Sequence, residues 1–467
     1  MSDLETLALR VQLPGFVGTS YDGAVLDLLH AGLGGVCLFG SNTAAGSERL
    51  TALTRSVHDA GPHAVVSVDE EGGGVSRLHA HDGSPVLGAA ALGAVDDLAL
   101  TRATGRAVGA ELAAHGIDLD LAPVADVNSC PDNPVIGTRS FGPDAAGVAA
   151  HVAAWVGGLQ EAGVSACVKH FPGHGDTSED SHLALPVQDA DLSLLHAREL
   201  RPFAAAVGAG ADAVMTSHLL VRALDPQRPA TLSPAVLGLL RTELGFDGVL
   251  VTDALDMAGA SAGRGIPEAA VLSLAAGADL LCLGADKDVE LVRDVQAAVV
   301  HAVRSGRLEE SRLAEAAGRV ADLTERRTPG GDAPVDEAVQ RRAARTALRI
   351  EGSLPDLTGA LVVQLTTRAS IAVGEVPWGV RPDLTLSPDD DPPPGDGPLV
   401  VQVRDAHRQP RSRAFLDRLP VARPTVVVEW GWPAPDPGGR TRICTLGSSR
   451  PAVAAVTEVL EGAGWHR

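Results

Sequence analysis

The chain has 467 residues, of which 45% are hydrophobic and 21% charged, so it supplies a large core and is not disordered in composition. Its formal net charge of −21 excludes nucleic acid and anionic membrane surfaces as partners, because both would repel it. No apolar run approaches the roughly 18 residues of a membrane-spanning helix, and a start carrying Asp3 and Glu5 does not resemble a secretory signal. We therefore expect a cytoplasmic protein.

Short apolar runs rich in β-branched residues alternate with helical segments over the first two thirds of the chain. The predicted strands are 11–16, 36–39, 65–69, 119–124, 166–170, 213–218, 249–253 and 280–283. Stretches between them, such as 97–115 and 192–209, carry apolar residues at the three- and four-residue spacing of amphipathic helices. Near-continuous apolar strands flanked by helices indicate a parallel sheet buried on both faces. Eight such units predict an α/β fold of the (β/α)₈ TIM-type barrel class.

A smaller unit follows the predicted barrel. A helix near 311–323 ends the barrel, and a Pro/Gly-rich linker at 328–334 leads into a helix at 335–350. The predicted strands beyond it are 360–365, 399–403, 425–430 and 443–446. We thus predict a barrel domain at 1–327, a linker and connecting helix at 328–350, and a C-terminal α/β domain at 351–467. The last should stabilise or dimerise a protein that is a monomer or dimer.

Polar residues gather where the predicted barrel strands end. The clusters are DEEGGG at 69–74, APVADVN at 122–128, KHFPGHGD at 169–176, SH at 217–218 and TDALD at 252–256. Active sites of barrels lie at this rim, formed by the carboxyl ends of the strands. The alternative, that polar residues only mark loop starts, does not explain why long insertions and rare residues fall at this end.

The segment at 169–182 contains Lys169 and three histidines within 14 residues. A metal site is one interpretation, since His170 and His174 lie four residues apart. That spacing aligns two ligands only on a helix, which the prolines and glycines between them break, and the lysine would repel a dication. A solvated loop is a second interpretation.

The third interpretation is an acid/base loop. Asp180 and His182 lie two residues apart, so both side chains can point the same way. An aspartate that accepts a hydrogen bond from one ring nitrogen orients a histidine, and the other nitrogen can then protonate a departing oxygen.

Asp253 ends a predicted buried strand. A carboxylate there can attack a sugar anomeric carbon and stabilise an oxocarbenium-like transition state. Capping of the following helix is an equally common role for an aspartate after a strand, so both interpretations stay open.

The remaining charged residues of the rim are suited to binding. Sugar hydroxyls are held by ionised donors and acceptors, which this rim supplies in number. The candidates are Asp69, Arg77, Arg139, Lys169 and His170. Only two of the chain's 38 cationic residues are lysines, which suggests that Lys169 serves a site needing a compact ammonium.

Four segments together resemble glycoside hydrolase family 3, specifically its β-N-acetylhexosaminidase branch. They are DEEGG with the Arg of 77, IGTRSFG at 136–142, KHFPGHGDTSEDSH at 169–182 and GFDGVLVTDALDM at 245–257. The resemblance covers residues 5–325. It implies an eight-stranded β/α barrel, a retaining mechanism without cofactor or metal, and removal of terminal β-linked N-acetylglucosamine.

The resemblance also implies roles for individual residues. Asp253 matches the nucleophile, and His182 matches the acid/base with Asp180 as its partner. The groups that grip the non-reducing sugar are matched by Asp69, Arg77, Arg139, Lys169 and His170. Two residues depart from the pattern: Gly74 stands where Arg is usual, and Asp256 stands where Ser or Asn is usual.

The sequence therefore predicts a cytoplasmic retaining exo-β-N-acetylglucosaminidase acting on a small saccharide, with cell-wall muropeptides or disaccharides undergoing recycling as substrates. One alternative is a phosphorylase that uses phosphate in place of water. An alternative of another class is a sugar-binding protein without catalysis.

Overall fold

The computed structural model describes residues 2–177, 185–325, 331, 333–367, 373–374, 376–434 and 439–466. The chain divides into two compact units. The first unit comprises Met1–Glu70, Leu98–Cys130 and Pro143–Pro334. The second comprises Glu71–Asp97, Pro131–Gly142 and Val335–Arg467. The second unit thus includes two segments, 71–97 and 131–142, that follow strands of the first.

Parallel strands form the centre of the first unit. Among its described residues they are β1 (Gln12–Phe16), β2 (Gly35–Leu38), β3 (Val65–Val68), β4 (Leu119–Asp120), β5 (Ser165–Phe171), β6 (Ala213–Thr216), β7 (Val249–Val251) and β8 (Leu281–Lys287). Each strand from β2 to β6 pairs in parallel with the strand that follows it in the chain. A bridge joins Val251 of β7 to Leu280, and β8 pairs in parallel with β1. This unit is therefore an α/β fold with a curled parallel sheet.

Helices connect the strands of this unit. The longer ones are Asp3–Arg10, Gly23–His30, Ser47–Ala60, Leu98–Ala114, Ala145–Glu161, Leu200–Gly208, Pro234–Thr242, Ile266–Ala276, Val289–Arg304 and Glu310–Glu325. Several begin at an Asp or Ser whose side chain accepts a backbone N–H of the first turn, as Asp144 and Asp288 do. The helices Leu98–Ala114 and Ala145–Glu161 approach each other closely at a glycine, since a Cβ on Gly158 would lie 2.0 Å from the carbonyl oxygen of Arg102.

Side chains from all eight strands share one hydrophobic cluster. Its members include Leu13, Cys37, Val65, Leu119, Cys167, Ala213, Val249 and Cys282. Val320 and Leu323 of the helix Glu310–Glu325 pack against the same cluster. The backbone on which the polar rim residues stand is therefore anchored in a common core.

The second unit is built on a six-stranded sheet. Its strands are β9 (Arg349–Glu351), β10 (Leu361–Leu365), β11 (Leu384–Leu386), β12 (Leu399–Val403), β13 (Thr425–Glu429) and β14 (Thr441–Cys444), in the spatial order β9-β14-β13-β12-β10-β11. β9 is antiparallel to β14 and the other pairs are parallel. The helices of the unit are Ala89–Val95, Glu337–Ala347, Pro410–Arg418 and Arg450–Gly462. Side chains that alternate along these strands belong to two separate apolar clusters. One cluster contains Val400 and Val456, and the other contains Val401 and Phe415.

Asp279 is a buried carboxylate that pairs with several arginines of the first unit. It precedes β8 and is fully buried, and its carboxylate contacts the guanidinium groups of Arg241, Arg312 and Arg319. It also accepts the backbone N–H of Leu250 at 3.0 Å.

We expect Asp279→Asn to lower the free energy of unfolding by about 3 kcal/mol, because three half-buried cations lose their shared anion. Urea denaturation measures the change. Glu315→Gln is the matched control: Glu315 pairs with Arg312 and Arg319 but its side chain is 50% exposed, so the cost should stay below about 1 kcal/mol. Equal losses in the two variants would contradict this interpretation.

Candidate active site

The end of β3 and the end of β5 place two opposite charges in contact. Asp69 follows β3, and its Oδ1 lies 2.6 Å from Nζ of Lys169 in β5. The lysine side chain is 2% exposed and the aspartate 18%, so the pair is shielded from water except on the carboxylate side. Two residues predicted to bind sugar thus form a charge-assisted hydrogen bond.

Asp120, the last residue of β4, lies beside this pair and was not singled out from the sequence. It is fully buried and accepts the backbone N–H of Glu70 at 2.9 Å. Burial raises the pKa of Asp120 well above its ordinary value, and the negative charges of Glu70 and Asp69 act in the same direction. The surroundings of Asp120 thus disfavour its ionised form, and the direct ion pair of Lys169 is with Asp69.

His170 is oriented by a second buried carboxylate, Asp126. Nδ1 of His170 lies 2.7 Å from Oδ2 of Asp126, while the backbone N–H of His174 donates to Oδ1 at 2.7 Å. Burial raises the pKa of Asp126, but the charge of His170 and its hydrogen bond, together with the His174 contacts, outweigh this effect. The net pKa of Asp126 is therefore below its ordinary value. An ionised Asp126 thus holds the ring of His170 and the start of the following loop.

Asp253 lies two residues beyond β7 and is half-buried. Its backbone N–H contacts Oγ1 of Thr216 at 3.4 Å, and its Oδ1 accepts the N–H of Ala254 at 2.8 Å. The next helix begins only at Ala258 with Met257 as its cap, so the helix-capping interpretation of Asp253 is wrong.

Asp253 shares its surroundings with the Lys169–Asp69 pair. Burial raises the pKa of the Cys167 thiol in β5, and four charged side chains also act on it: Lys169, Asp120, Asp69 and Asp253. The structure therefore brings these rim residues around one strand, with the half-buried Asp253 just beyond the end of β7.

Asp256, the unusual residue near Asp253, pairs with the second lysine of the chain. Its Oδ2 lies 2.8 Å from Nζ of Lys287. A Cβ on Gly284 would lie 2.2 Å from the same carboxylate, so glycine makes room for it.

The loop after β5 is held tightly up to Thr177. A Cβ on Gly175 would lie 1.8 Å from the carbonyl oxygen of Val127, and Oγ of Ser129 donates to Asp176 at 3.0 Å. Oγ1 of Thr177 lies 2.8 Å from Nδ1 of His174. Asp180 and His182 lie at 178–184, outside the described residues.

Glu199 lies directly under this loop and has no signal in the sequence. It ends a π-helical turn, Leu195–Glu199, and is fully buried. Its Oε1 accepts from Nε of Arg198 at 2.5 Å, and a Cβ on Gly173 would lie 2.7 Å from its Oε2. Burial raises the pKa of Glu199 to about 7, although Arg198 opposes the shift.

In the second unit, Arg139 is held by a partner that the sequence did not reveal. Its Nε and Nη2 donate to the two carboxylate oxygens of Glu71 at 2.9 and 2.7 Å, and both residues are buried. This fork-to-fork geometry fixes the plane of the guanidinium. Arg77 follows the short strand Val75–Ser76 of the same unit and is half-buried.

Among the described residues, no helix is long and apolar enough to cross a bilayer. The same part of the chain contains no group of three or more His, Cys, Asp or Glu side chains arranged to hold a metal ion.

Residues 13–323 match the model of the glycosyl hydrolase family 3 N-terminal domain. A β-hexosaminidase of Stenotrophomonas maltophilia is 36% identical over 315 residues, covering 66% of this chain and 91% of that protein. β-Hexosaminidase A of Pseudoalteromonas piscicida is 32% identical over 374 residues, covering 71% of this chain and 62% of that longer protein. A family 3 β-N-acetylglucosaminidase structure from Paenibacillus sp. FPU-7 has a TM-score of 0.87 and 31% identity, covering 99% of this chain and 97% of that one.

The chain therefore belongs to glycosyl hydrolase family 3, which confirms the resemblance seen in its motifs. It is a glycoside hydrolase, and the two relatives described above are named β-hexosaminidases.

Glu199→Gln should change how stability depends on pH. The folded chain keeps a proton on Glu199 up to about pH 7, whereas the unfolded chain releases it around the ordinary value of 4.5. The stability due to this proton is fully present below the unfolded pKa and is lost as pH rises through the folded pKa. Glutamine does not ionise, so the variant should gain up to about 3 kcal/mol relative to the parent chain between about pH 5 and pH 8.

Urea denaturation at the two pH values measures this difference. Glu243→Gln removes a carboxylate that is 55% exposed and should leave the pH dependence unchanged. Identical pH profiles for Glu199→Gln and the parent chain would reject a buried titrating Glu199.

Proposed function

We propose that this chain is a retaining exo-β-N-acetylglucosaminidase that releases terminal β-linked N-acetylglucosamine from cell-wall-derived muropeptides or disaccharides. The observation that carries the proposal is the half-buried Asp253 at the end of β7, in the same charged cluster as the Lys169–Asp69 pair. The β-hexosaminidase names of the relatives support the substrate. The cytoplasmic location expected from the sequence remains part of this proposal.

The proposed reaction is a double displacement. Asp253 attacks the anomeric carbon while His182 donates a proton to the glycosidic oxygen, so the glycosidic bond breaks as a glycosyl ester forms. Water then attacks the anomeric carbon, His182 accepts its proton, and Asp253 leaves as a carboxylate. Asp180 is proposed to orient His182 and to stabilise its protonated form.

Five further residues are proposed to hold the non-reducing sugar. Asp69, which is paired with Lys169, is proposed to accept hydrogen bonds from hydroxyl groups with its carboxylate oxygens. The ring of His170, oriented by Asp126, offers a nitrogen in a defined direction. Arg77 and Arg139 complete the set as donors.

The finer architecture is also a proposal. We propose that the curled sheet closes as a (β/α)₈ barrel, since all eight strands share one core cluster and a Cβ on Gly35 of β2 would lie 2.9 Å from Leu13 of β1. The proposed domains remain a barrel at 1–327, a linker and helix at 328–350, and a C-terminal α/β domain at 351–467, in a monomer or dimer.

Asp253→Ala should lower kcat on an aryl β-N-acetylglucosaminide by about a thousandfold or more, because the attacking carboxylate is lost. Asp256→Ala is the matched control, since it removes a carboxylate three residues away that pairs with Lys287. It should leave turnover near that of the parent chain. Proton NMR of the parent reaction should show the β-anomer first. Near-normal activity of Asp253→Ala, or initial release of the α-anomer, would end the proposal.

His182→Ala should damage hydrolysis of a disaccharide far more than hydrolysis of a dinitrophenyl glycoside, because a good leaving group needs little protonation. Steady-state rates on both substrates measure the ratio. His196→Ala, at a histidine that is 47% exposed, serves as the control and should change neither rate. An equal loss on both substrates would show that His182 is not the acid.

A further inference from the structure

The second unit contains a cavity of about 150 Å³ beside the carboxyl ends of β12 and β13. It is lined by the segment 133–139 and by Gly74, Arg404, Arg408, Gly431 and Ser448. In open α/β sheets, ligands bind outside the carboxyl ends of parallel strands. Apart from Arg139, these lining residues have no role in the proposed reaction.

Arg404, the first residue after β12, is a cation without an anionic contact. Its guanidinium lies over the ring of Trp378, 4.8 Å from the centroid, and makes no ion pair or hydrogen bond within the described part of the chain. Burial lowers the pKa of Arg404 to about 10, so it stays protonated at neutral pH. The negative charges of Asp405, which also lines the cavity, and of Glu429 oppose this shift without contacting the guanidinium. A buried charge that is only partly compensated is unfavourable, which makes a bound anion stabilising here.

Arg408 adds a second positive charge to the same wall. Its Nη2 lies 2.8 Å from Oδ2 of Asp405, while its buried Nε has no acceptor among the described residues. Arg139 is already matched by Glu71. The two guanidinium groups at positions 404 and 408 therefore share one carboxylate, and the cavity keeps an excess of positive charge.

Glu429 ends β13 next to this wall without lining the cavity, and it does not remove that excess. Its oxygens accept the backbone N–H groups of Asp405, Ala406 and Gly431 at 2.6, 3.1 and 2.8 Å. Burial raises the pKa of Glu429 to about 8, and the negative charge of Asp405 adds to the shift. Glu429 is therefore mostly protonated at neutral pH.

The turn that carries both arginines is rigid. Asp405 has a left-handed backbone conformation with φ of 47°, held by the two backbone donors to Glu429. A Cβ on Gly431 would lie 2.4 Å from the nitrogen of Asp405, so only glycine permits this packing. Nε2 of His407 also contacts the carbonyl oxygen of Pro131 at 3.0 Å. Donors fixed in this way lose little entropy when they bind a ligand.

Gly74 leaves the cavity open. A Cβ at this position would meet only Cγ1 of Val373, at 3.9 Å, so a larger side chain would extend into free space.

We infer that this cavity binds one anionic group, a carboxylate or phosphate carried by a small molecule, through Arg404 and Arg408. The planar guanidinium forks match both anions. The volume is several times that of one water, so it admits more than a bare ion. Arg404 and Arg408 have no role in the proposed glycosidase reaction, although Arg139, which is proposed to hold the sugar, also lines the cavity.

Calorimetric titration of the full chain with inorganic phosphate and with D-glucuronate tests the site, with glucose as the uncharged match for glucuronate. We expect millimolar or tighter binding of at least one anion and none of glucose. Arg404→Gln and Arg408→Gln should each weaken that binding about tenfold or more. Arg411→Gln, at an arginine that is 78% exposed and pairs with Asp389, should bind as the parent chain does.

Gly74→Leu is a second variant, because it fills the cavity without removing either arginine; it should abolish binding while the melting temperature is retained. Binding of neither anion, or undiminished binding by Arg404→Gln and Gly74→Leu, would overturn the site. The preferred anion identifies the group. Aryl glycoside turnover is measured in parallel, so that a chain that binds anions without turnover loses only the proposed function.

Discussion

The ion pair between Lys169 and Asp69 is the interaction on which the proposed active site depends. A buried ammonium is stable only when a carboxylate compensates its charge, and Asp69 does so at 2.6 Å. Asp120, which lies between them in strand order, is disfavoured as an anion, because burial raises its pKa. Since β3, β4 and β5 are neighbours, strand order itself brings the ion pair and this buried carboxyl group together.

The two carboxyl groups that support the loop after β5 differ in their surroundings. Asp126 accepts hydrogen bonds from the ring of His170 and from backbone N–H groups, and these contacts lower its pKa. Glu199 is buried with only Arg198 to oppose the cost of ionisation, so its pKa is raised to about 7. Environments that push two pKa values apart in this way give similar side chains different roles. Here one carboxylate fixes His170, and the other couples loop packing to pH.

The residues at the strand ends were predictable from the sequence, whereas the side chains that contact them were not. Asp69, Lys169 and Asp253 were found because each ends a continuous apolar run, which is a local pattern. Asp126 and Glu199 act through residues 44 and 26 positions away, and a single sequence carries no signal for such pairs.

Tertiary pairing also explains the errors at secondary-structure boundaries. The helix predicted to reach residue 350 ends at Ala347, because 349–351 pairs with β14 instead. The short edge strand Leu384–Leu386 was missed, since it is largely exposed and borders a proline-rich loop.

The charged side chains around the cavity of the second unit differ in what balances their charge. Arg139 and Arg408 each contact a carboxylate, and Glu429 is engaged by backbone donors. Arg404 contacts an aromatic ring but no carboxylate among the described residues, and its charge is balanced further when an anion enters the open space beside it.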